Sequence, residues 1–228
     1  MIDAAPSAFR GRFIRALLYR RLRRGLAGLR IEGLGRIAEE AARGPVLLCA
    51  NHVSFYDGLL AERLSQAVAE VRVLMRADQL RKAPLLRWVG AVGVEDDPRD
   101  GARAVRLAVR FLDRPGRALW IFPQGTLRPQ WQRPLGFRGG AELIARRSGA
   151  VVLPVSLQYE LGEGEQPEAW VRVGEPALPG RLEEEVARGL DALCARIAES
   201  RALPSLWPAP RRLGQGIFAR VAARALRA

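Results

Sequence analysis

The chain reads as an α/β protein: a mixed, mostly parallel central sheet flanked by helices, with basic amphipathic helices at the N- and C-termini. Three observations predict this. Short apolar runs rich in β-branched residues alternate with segments of helical periodicity. Both ends of the chain set arginines on one arc and apolar side chains on another. A hydrophobic content of 49% over 228 residues is enough for one well-buried core.

The elements follow in order. Within residues 8 to 30, Phe13, Ile14, Leu17, Leu18, Leu22 and Leu29 share one broad helical arc, and Arg12, Arg15, Arg20 and Arg23 fall largely on the opposite one. Arg10 and Arg21 intrude on the apolar side. Such a helix either lies in a bilayer interface with its arginines on anionic head groups or packs on its own domain. Strands are expected at Val46 to Ala50, Val71 to Met75, Ala118 to Phe122, Ala150 to Leu157 and Ala169 to Val173. Helices are expected at 57 to 69, at 100 to 113, at 139 to 148 ending at Gly149, and at 183 to 199. In the second of these Asp100 is the expected N-cap, with Val105, Ala108, Val109 and Leu112 inward; in the last, Val186, Leu190, Leu193 and Ile197 face the core. Glu160 to Glu168 reads as a solvated acidic hairpin loop. After the proline-rich stretch Leu203 to Pro210, Ile217 to Ala228 reads as a second basic helix or a solvated tail. The expected organisation is therefore a membrane-surface helix region at 1–30, a catalytic domain at 31–202, and a Pro-rich linker with a basic helix at 203–228.

Charge and cysteine usage narrow the function classes. The net charge of +13 rests on arginine, Lys82 being the only lysine, and attracts phosphate-bearing partners. No nucleic-acid motif or interleaved aromatic platform accompanies the arginines, so nucleic acid is not an expected partner. Cys49 and Cys194 stand far apart, suggesting neither a redox pair nor a disulfide framework. With one histidine and no cysteine cluster, no metal site is expected. No window reaches the roughly 18 apolar residues of a spanning helix, and the N-terminus lacks a signal-peptide pattern. The expectation is a peripheral or monotopic protein on the cytoplasmic face of the cell membrane.

His52 is the sole histidine, in Asn51-His52-Val53-Ser54-Phe55-Tyr56-Asp57, directly after the apolar run Val46 to Ala50. It therefore falls at a strand's carboxyl end, the edge at which open α/β sheets bind ligands. An imidazole held by a carboxylate is a common general base near neutral pH. On a regular helix, residues five apart point roughly 140° from each other, so contact with Asp57 needs a turn between them. A second corner has the same character: Ala118 to Phe122 runs into Pro123-Gln124-Gly125-Thr126-Leu127-Arg128-Pro129. There glycine permits close backbone approach, Thr126 offers a hydroxyl, and Arg128 offers a fork for phosphate.

Taken together, NHVSFYD and FPQGTLRP resemble the first and third sequence blocks of the glycerolipid acyltransferase family, which includes 1-acylglycerol-3-phosphate acyltransferases. Gln79 to Leu85 with Gly90 to Val94 is similar to its second block, and Gly136 to Ala141 with Val151 to Val155 to its fourth. The resemblance covers about residues 45 to 176. It implies transfer of an acyl chain from the thioester of coenzyme A or acyl carrier protein to a hydroxyl of a lyso-lipid, without a cofactor and without a covalent acyl-enzyme. His52 would be the general base and Asp57 its orienting partner, with Gln124, Gly125, Thr126 and Arg128 on the substrate. Backbone amides around Gly125 and Thr126 are candidates for the oxyanion. An anionic membrane surface is the implied partner.

The departures from the family pattern bear on the acceptor. Gln124 stands where the family has glutamate, Leu127 where it has arginine, and Glu95-Asp96-Asp97 is acidic where a basic residue is usual. A non-phosphate acceptor, such as a glycolipid, an aminolipid or a glycosylated isoprenoid, is the first alternative. A non-catalytic anionic-membrane binder on a decayed acyltransferase fold is the second.

Overall fold

The computed structural model describes residues 1–65, 68, 70–162 and 165–199. The C-terminal helix expected over 217–228 and the proline-rich stretch before it lie outside the described residues. The chain runs through α1 (Ala8–Gly25), β1 (Gly28–Glu32), α2 (Gly35–Arg43), β2 (Val46–Ala50), α3 (Tyr56–Leu64), β3 (Glu70–Arg76) and α4 (Ala77–Lys82). It continues through a 3₁₀ segment (Pro84–Val89), β4 (Ala91–Val94), α5 (Pro98–Phe111), β5 (Arg117–Ile121), α6 (Gly140–Ser148), β6 (Val151–Leu161), β7 (Pro167–Val173) and α7 (Leu182–Ala198).

The strands form a seven-stranded sheet in the order β1-β7-β6-β2-β5-β3-β4. Every neighbouring pair is parallel except the β6–β7 hairpin, matching the mixed, mostly parallel sheet expected. Parallel strands buried on both faces read as continuous apolar runs. Val46, Leu47, Leu48, Cys49 and Ala50 of central β2 are accordingly all fully buried.

Alternation along the strands divides the core in two. Val46, Leu48, Ala118 and Trp120 pack against Leu22 of α1, Ile37 of α2 and Leu60 of α3. Leu47, Cys49, Leu119 and Ile121 pack on the other face against Ala108 and Phe111 of α5, Ile144 of α6 and Val186 of α7. The chain thus leaves β2 into α3 on one face and β5 into α6 on the other. Adjacent strands whose connections diverge in this way open a crevice at their carboxyl ends, and His52 lies there.

Several expected boundaries move. The helix expected over 8 to 30 stops at Gly25, and Gly28–Glu32 becomes edge strand β1, paired with β7. A Cβ at Gly25 would lie 1.9 Å from the Tyr56 hydroxyl, so the helix ends where the chain must pass that ring. Leu29 extends the helical arc in sequence, yet Gly-Leu-Arg-Ile-Glu also alternates as a half-buried strand does. Helix α5 begins earlier than expected, with Asp97 as its N-cap in place of Asp100: the Asp97 side chain accepts from the Arg99 and Asp100 amides, and Pro98 occupies the first turn. Its core-facing residues are Ala104, Ala108 and Phe111, with Val105 only partly buried. Short β4, α2 and α4 were not among the expected elements. The 3₁₀ segment turns into β4 through Gly90, whose φ of 96° and closeness to the Val71 carbonyl leave no room for a side chain.

The wide apolar arc of α1 serves two surfaces. Ile14 and Leu22 are buried against the domain, and Arg15 Nε donates to Glu62 Oε1 of α3 at 2.6 Å. Phe9, Phe13 and Leu17, one turn apart, face outward with exposures of 86%, 64% and 45%. Among the described residues no helix is long and apolar enough to cross a membrane.

Candidate active site

Beyond Ala50 the β2–β6 ladder is continued by a side chain. Asn51 Nδ2 donates to the Leu157 carbonyl at 2.9 Å, and its Oδ1 accepts from the Leu157 amide at 2.8 Å. A fully buried amide thus imitates one more strand residue, leaving the backbone free to turn outward at His52.

The loop after His52 folds around the carboxylate of Asp57, which sits in the first turn of α3 and is 0% exposed. Its Oδ2 accepts from the amides of Val53 at 2.7 Å and Ser54 at 2.9 Å and lies 2.7 Å from His52 Nδ1. Its Oδ1 accepts from the Tyr159 hydroxyl at 2.6 Å. The turn that a five-residue separation requires is present: the Asp57 amide donates to the Ser54 carbonyl at 3.2 Å. Because Oδ2 acts as an acceptor for two amides, Nδ1 is the ring nitrogen that donates to it, and in the neutral imidazole the lone pair is then on Nε2. The ring stacks on Phe122 with centroids 4.5 Å apart, and 26% of the side chain is exposed. Among the described residues nothing hydrogen-bonds Nε2.

The second corner holds the first from behind. The Arg128 amide donates to the His52 carbonyl at 2.8 Å, so the two loops the sequence singled out are in contact. Gln124 is buried, and both ends of its amide are engaged: Oε1 accepts from the His52 amide at 2.6 Å and Nε2 donates to the Leu135 carbonyl at 3.0 Å. Its amide thus ties the His52 backbone to the loop at Leu135. Gly125 turns with φ 71°, and its amide donates to the Phe122 carbonyl at 2.9 Å, which takes it out of the candidate oxyanion donors. A Cβ there would press on the Arg138 guanidinium at 3.2 Å. Thr126 and the Arg128 side chain are exposed beside this turn, and among the described residues neither the Thr126 amide nor the Arg128 guanidinium has a partner.

Tyr159 and Gln130 join this candidate site through their contacts and were not among the residues expected from sequence. Gln130 grips β6 as Asn51 does, accepting from the Tyr159 amide at 3.0 Å and donating to its carbonyl at 3.1 Å. This fixes the phenol on Asp57. Burial, reinforced by the Asp57 charge, pushes the Tyr159 hydroxyl well above its usual pKa, so it stays a donor. The signal was available: Val155, Leu157 and Tyr159 share one strand face by simple alternation, but the expected strand stopped at Leu157.

The acidic stretch has structural work. Glu95 pairs with Arg81 at 2.6 Å, Asp97 caps α5, and Asp96 lies 3.6 Å from Arg138, which also covers Gly125. The rim of the crevice therefore carries both signs of charge.

A histidine held by a buried carboxylate, with its other nitrogen open at the carboxyl edge of an α/β sheet, has the arrangement that general-base chemistry requires. Residues 29–158 match the profile of the family described as Acyltransferase, and the chain belongs to that family. It is 33% identical over 127 residues to a lyso-ornithine lipid O-acyltransferase of Pseudomonas aeruginosa, a match spanning 54% of this chain and 47% of that protein. The chain thus matches about half the length of this curated relative. The fold is similar to that of the 1-acyl-sn-glycerophosphate (LPA) acyltransferase PlsC from Thermotoga maritima, with a TM-score of 0.55 at 22% identity over 83% of this chain and 78% of that one.

Proposed function

We propose that the protein is a lipid O-acyltransferase that moves an acyl chain from a coenzyme A or acyl carrier protein thioester to the hydroxyl of a lyso-lipid. The observation that carries this is the 2.7 Å His52 Nδ1 to Asp57 Oδ2 contact with Nε2 left open. Nε2 takes the acceptor's hydroxyl proton as its oxygen attacks the thioester carbonyl carbon, and Asp57 stabilises the imidazolium. Collapse of the tetrahedral adduct breaks the C–S bond, and the leaving thiolate takes the proton back. The Thr126 amide, unlike that of Gly125, remains available to the oxyanion. No step calls for a cofactor.

For the acceptor we favour a non-phosphate, zwitterionic aminolipid over 1-acylglycerol-3-phosphate. Two features support this reading: Arg128 and Arg138 share the rim with Asp96, as an ammonium and a carboxylate on one head group require, and the curated relative is by name an acyltransferase of lyso-ornithine lipid. The outward Phe9, Phe13 and Leu17 of α1 and its arginines suit residence on an anionic membrane surface, on the cytoplasmic face where thioester donors are found. Arg21 of the same helix lies 5.4 Å over the ring of Phe55, three residues after His52, which would bring that surface to the crevice.

Acyl transfer by the purified protein to a panel of lyso-lipids tests the reading. His52→Ala is expected to lower turnover by about 10²–10⁴-fold, with lyso-aminolipid the best acceptor of the wild type. Unchanged acylation in His52→Ala would remove the general-base role of His52, absence of transfer by the wild type would favour the non-catalytic binder, and preference for lysophosphatidate would restore the phosphate acceptor.

A further inference from the structure

A second concavity lies on the α5 face, at the other end of the sheet from His52. Arg72 is the third residue of β3 and Arg117 the first of β5, whereas His52 follows the carboxyl end of parallel β2. The cavity, of about 530 Å³, is lined by Arg72, Arg103, Arg106, Arg110 and Arg117, with Phe111 between them and Asp3 the one carboxylate in its wall. Arg72 and Arg117 are stacked on the Phe111 ring, 4.3 and 5.1 Å from its centroid.

Only part of this charge is neutralised within the fold. Arg117 pairs with Glu70 at 3.1 Å and Asp113 at 2.7 Å, and Arg103 stands 3.6 Å from Asp100. Among the described residues Arg72, Arg106 and Arg110 have no ion-pair partner. Arg72 is also half-buried, and burial together with the Arg117 charge pulls its pKa down. Gathering partly desolvated like charges opposes folding, and a bound anion would relieve it.

We infer that this arginine-lined cavity is a binding site for an oligophosphate, a small molecule bearing two or more clustered phosphates. Guanidinium forks match phosphate oxygens in pairs. Arg103 to Arg110 span about 10 Å of α5 at 1.5 Å per residue, more than one phosphate covers. Arg72 and Arg117 address the same ligand from the sheet. A small molecule suits the concave shape better than an extended polyanion, because the N-terminal arm walls one side, held by the Ile2–Gly93 pair of backbone hydrogen bonds at 2.7 and 2.8 Å. The site is independent of the acyl-transfer reading.

Titration calorimetry on the full chain tests this with three probes: sodium tripolyphosphate, a nucleoside triphosphate, and adenosine 3′,5′-bisphosphate, the phosphate-bearing end of coenzyme A. Tripolyphosphate is expected to bind saturably, Arg106→Gln/Arg110→Gln to weaken it tenfold or more, and His52→Ala to bind as the wild type does. Tighter binding of adenosine 3′,5′-bisphosphate than of the triphosphate assigns the ligand to a 3′-phosphorylated nucleotide, and the reverse assigns it to a nucleoside triphosphate. Thermal melts establish that the double variant is folded, and Arg72→Gln provides a second variant from the opposite wall. Absence of tripolyphosphate binding, or equal binding by wild type and both variants, would overturn the proposal.

Discussion

Tyr159 donates its hydroxyl to Asp57 Oδ1 at 2.6 Å from a position 102 residues further along the chain. The hydrogen bonding of the carboxylate beside His52 is thereby completed from β6, the neighbour of β2 on the side away from β5. Tyr159→Phe removes one donor and leaves a fully buried carboxylate oxygen unpaired, at a cost of about 1–3 kcal/mol. On the proposed role of His52 as base, the variant is expected to lower kcat more than it raises KM, because the Tyr159 hydroxyl is engaged by Asp57. A steady-state comparison with His52→Ala, which should lose far more, checks the ranking.

The same bond sets a pH dependence of stability. The folded-state pKa of Tyr159 is raised, by burial first and the Asp57 charge second, above the usual value of 10.0. A raised folded pKa means that its stabilising contribution is fully present below the unfolded value of about 10 and is lost as pH rises through the folded one. The stability advantage of wild type over Tyr159→Phe should therefore be constant from neutral pH to about 10 and shrink above it. Urea midpoints for the two proteins across that range measure it.

Gln124→Glu restores the residue that the family pattern carries and is nevertheless expected to impair this chain. A carboxylate can still accept from the His52 amide, but it cannot donate to the Leu135 carbonyl, 3.0 Å away, and two acceptors then face each other in a buried site. The loss is about 1–3 kcal/mol of stability, read as a lowered melting temperature with weaker acyl transfer. Gln124→Met, similar in length with no polar end, should fare no better, because the His52 amide then loses its acceptor.

These cases show where sequence reading reached and where it stopped. The His52–Asp57 contact was legible because both residues lie in one strand-turn-helix corner, and strand-loop alternation located that corner. The pairing of corner with corner through Arg128 and His52 agreed with the expected strand ends. Alternation could place Tyr159 on the strand face of Val155 and Leu157, but its pairing with Asp57 and that of Gln130 with β6 were not legible, since those partners lie on other elements that only the fold brings together. The burial of Gln124 and its bonds to His52 and Leu135 were not legible, because burial belongs to tertiary packing. Strand β1 was absorbed into a helix because a five-residue alternation beside a helical arc satisfies both periods.

The outward stripe of α1 yields the last prediction. Ile14 and Leu22 hold the helix to the domain, so Phe9, Phe13 and Leu17 can be replaced without opening the core. Each large apolar side chain moved from water into an acyl boundary contributes about 1.5–3 kcal/mol. Phe9→Ser/Phe13→Ser/Leu17→Ser should therefore reduce sedimentation with anionic liposomes by well over tenfold, since about 1.4 kcal/mol corresponds to each decade. Circular dichroism should remain that of the wild type, and transfer to a detergent-dispersed acceptor should be spared while transfer to a vesicle-bound one falls. Liposome binding that persists in the variant would place the anchor elsewhere on the chain, with the arginines of α1 the first alternative to examine by raising salt.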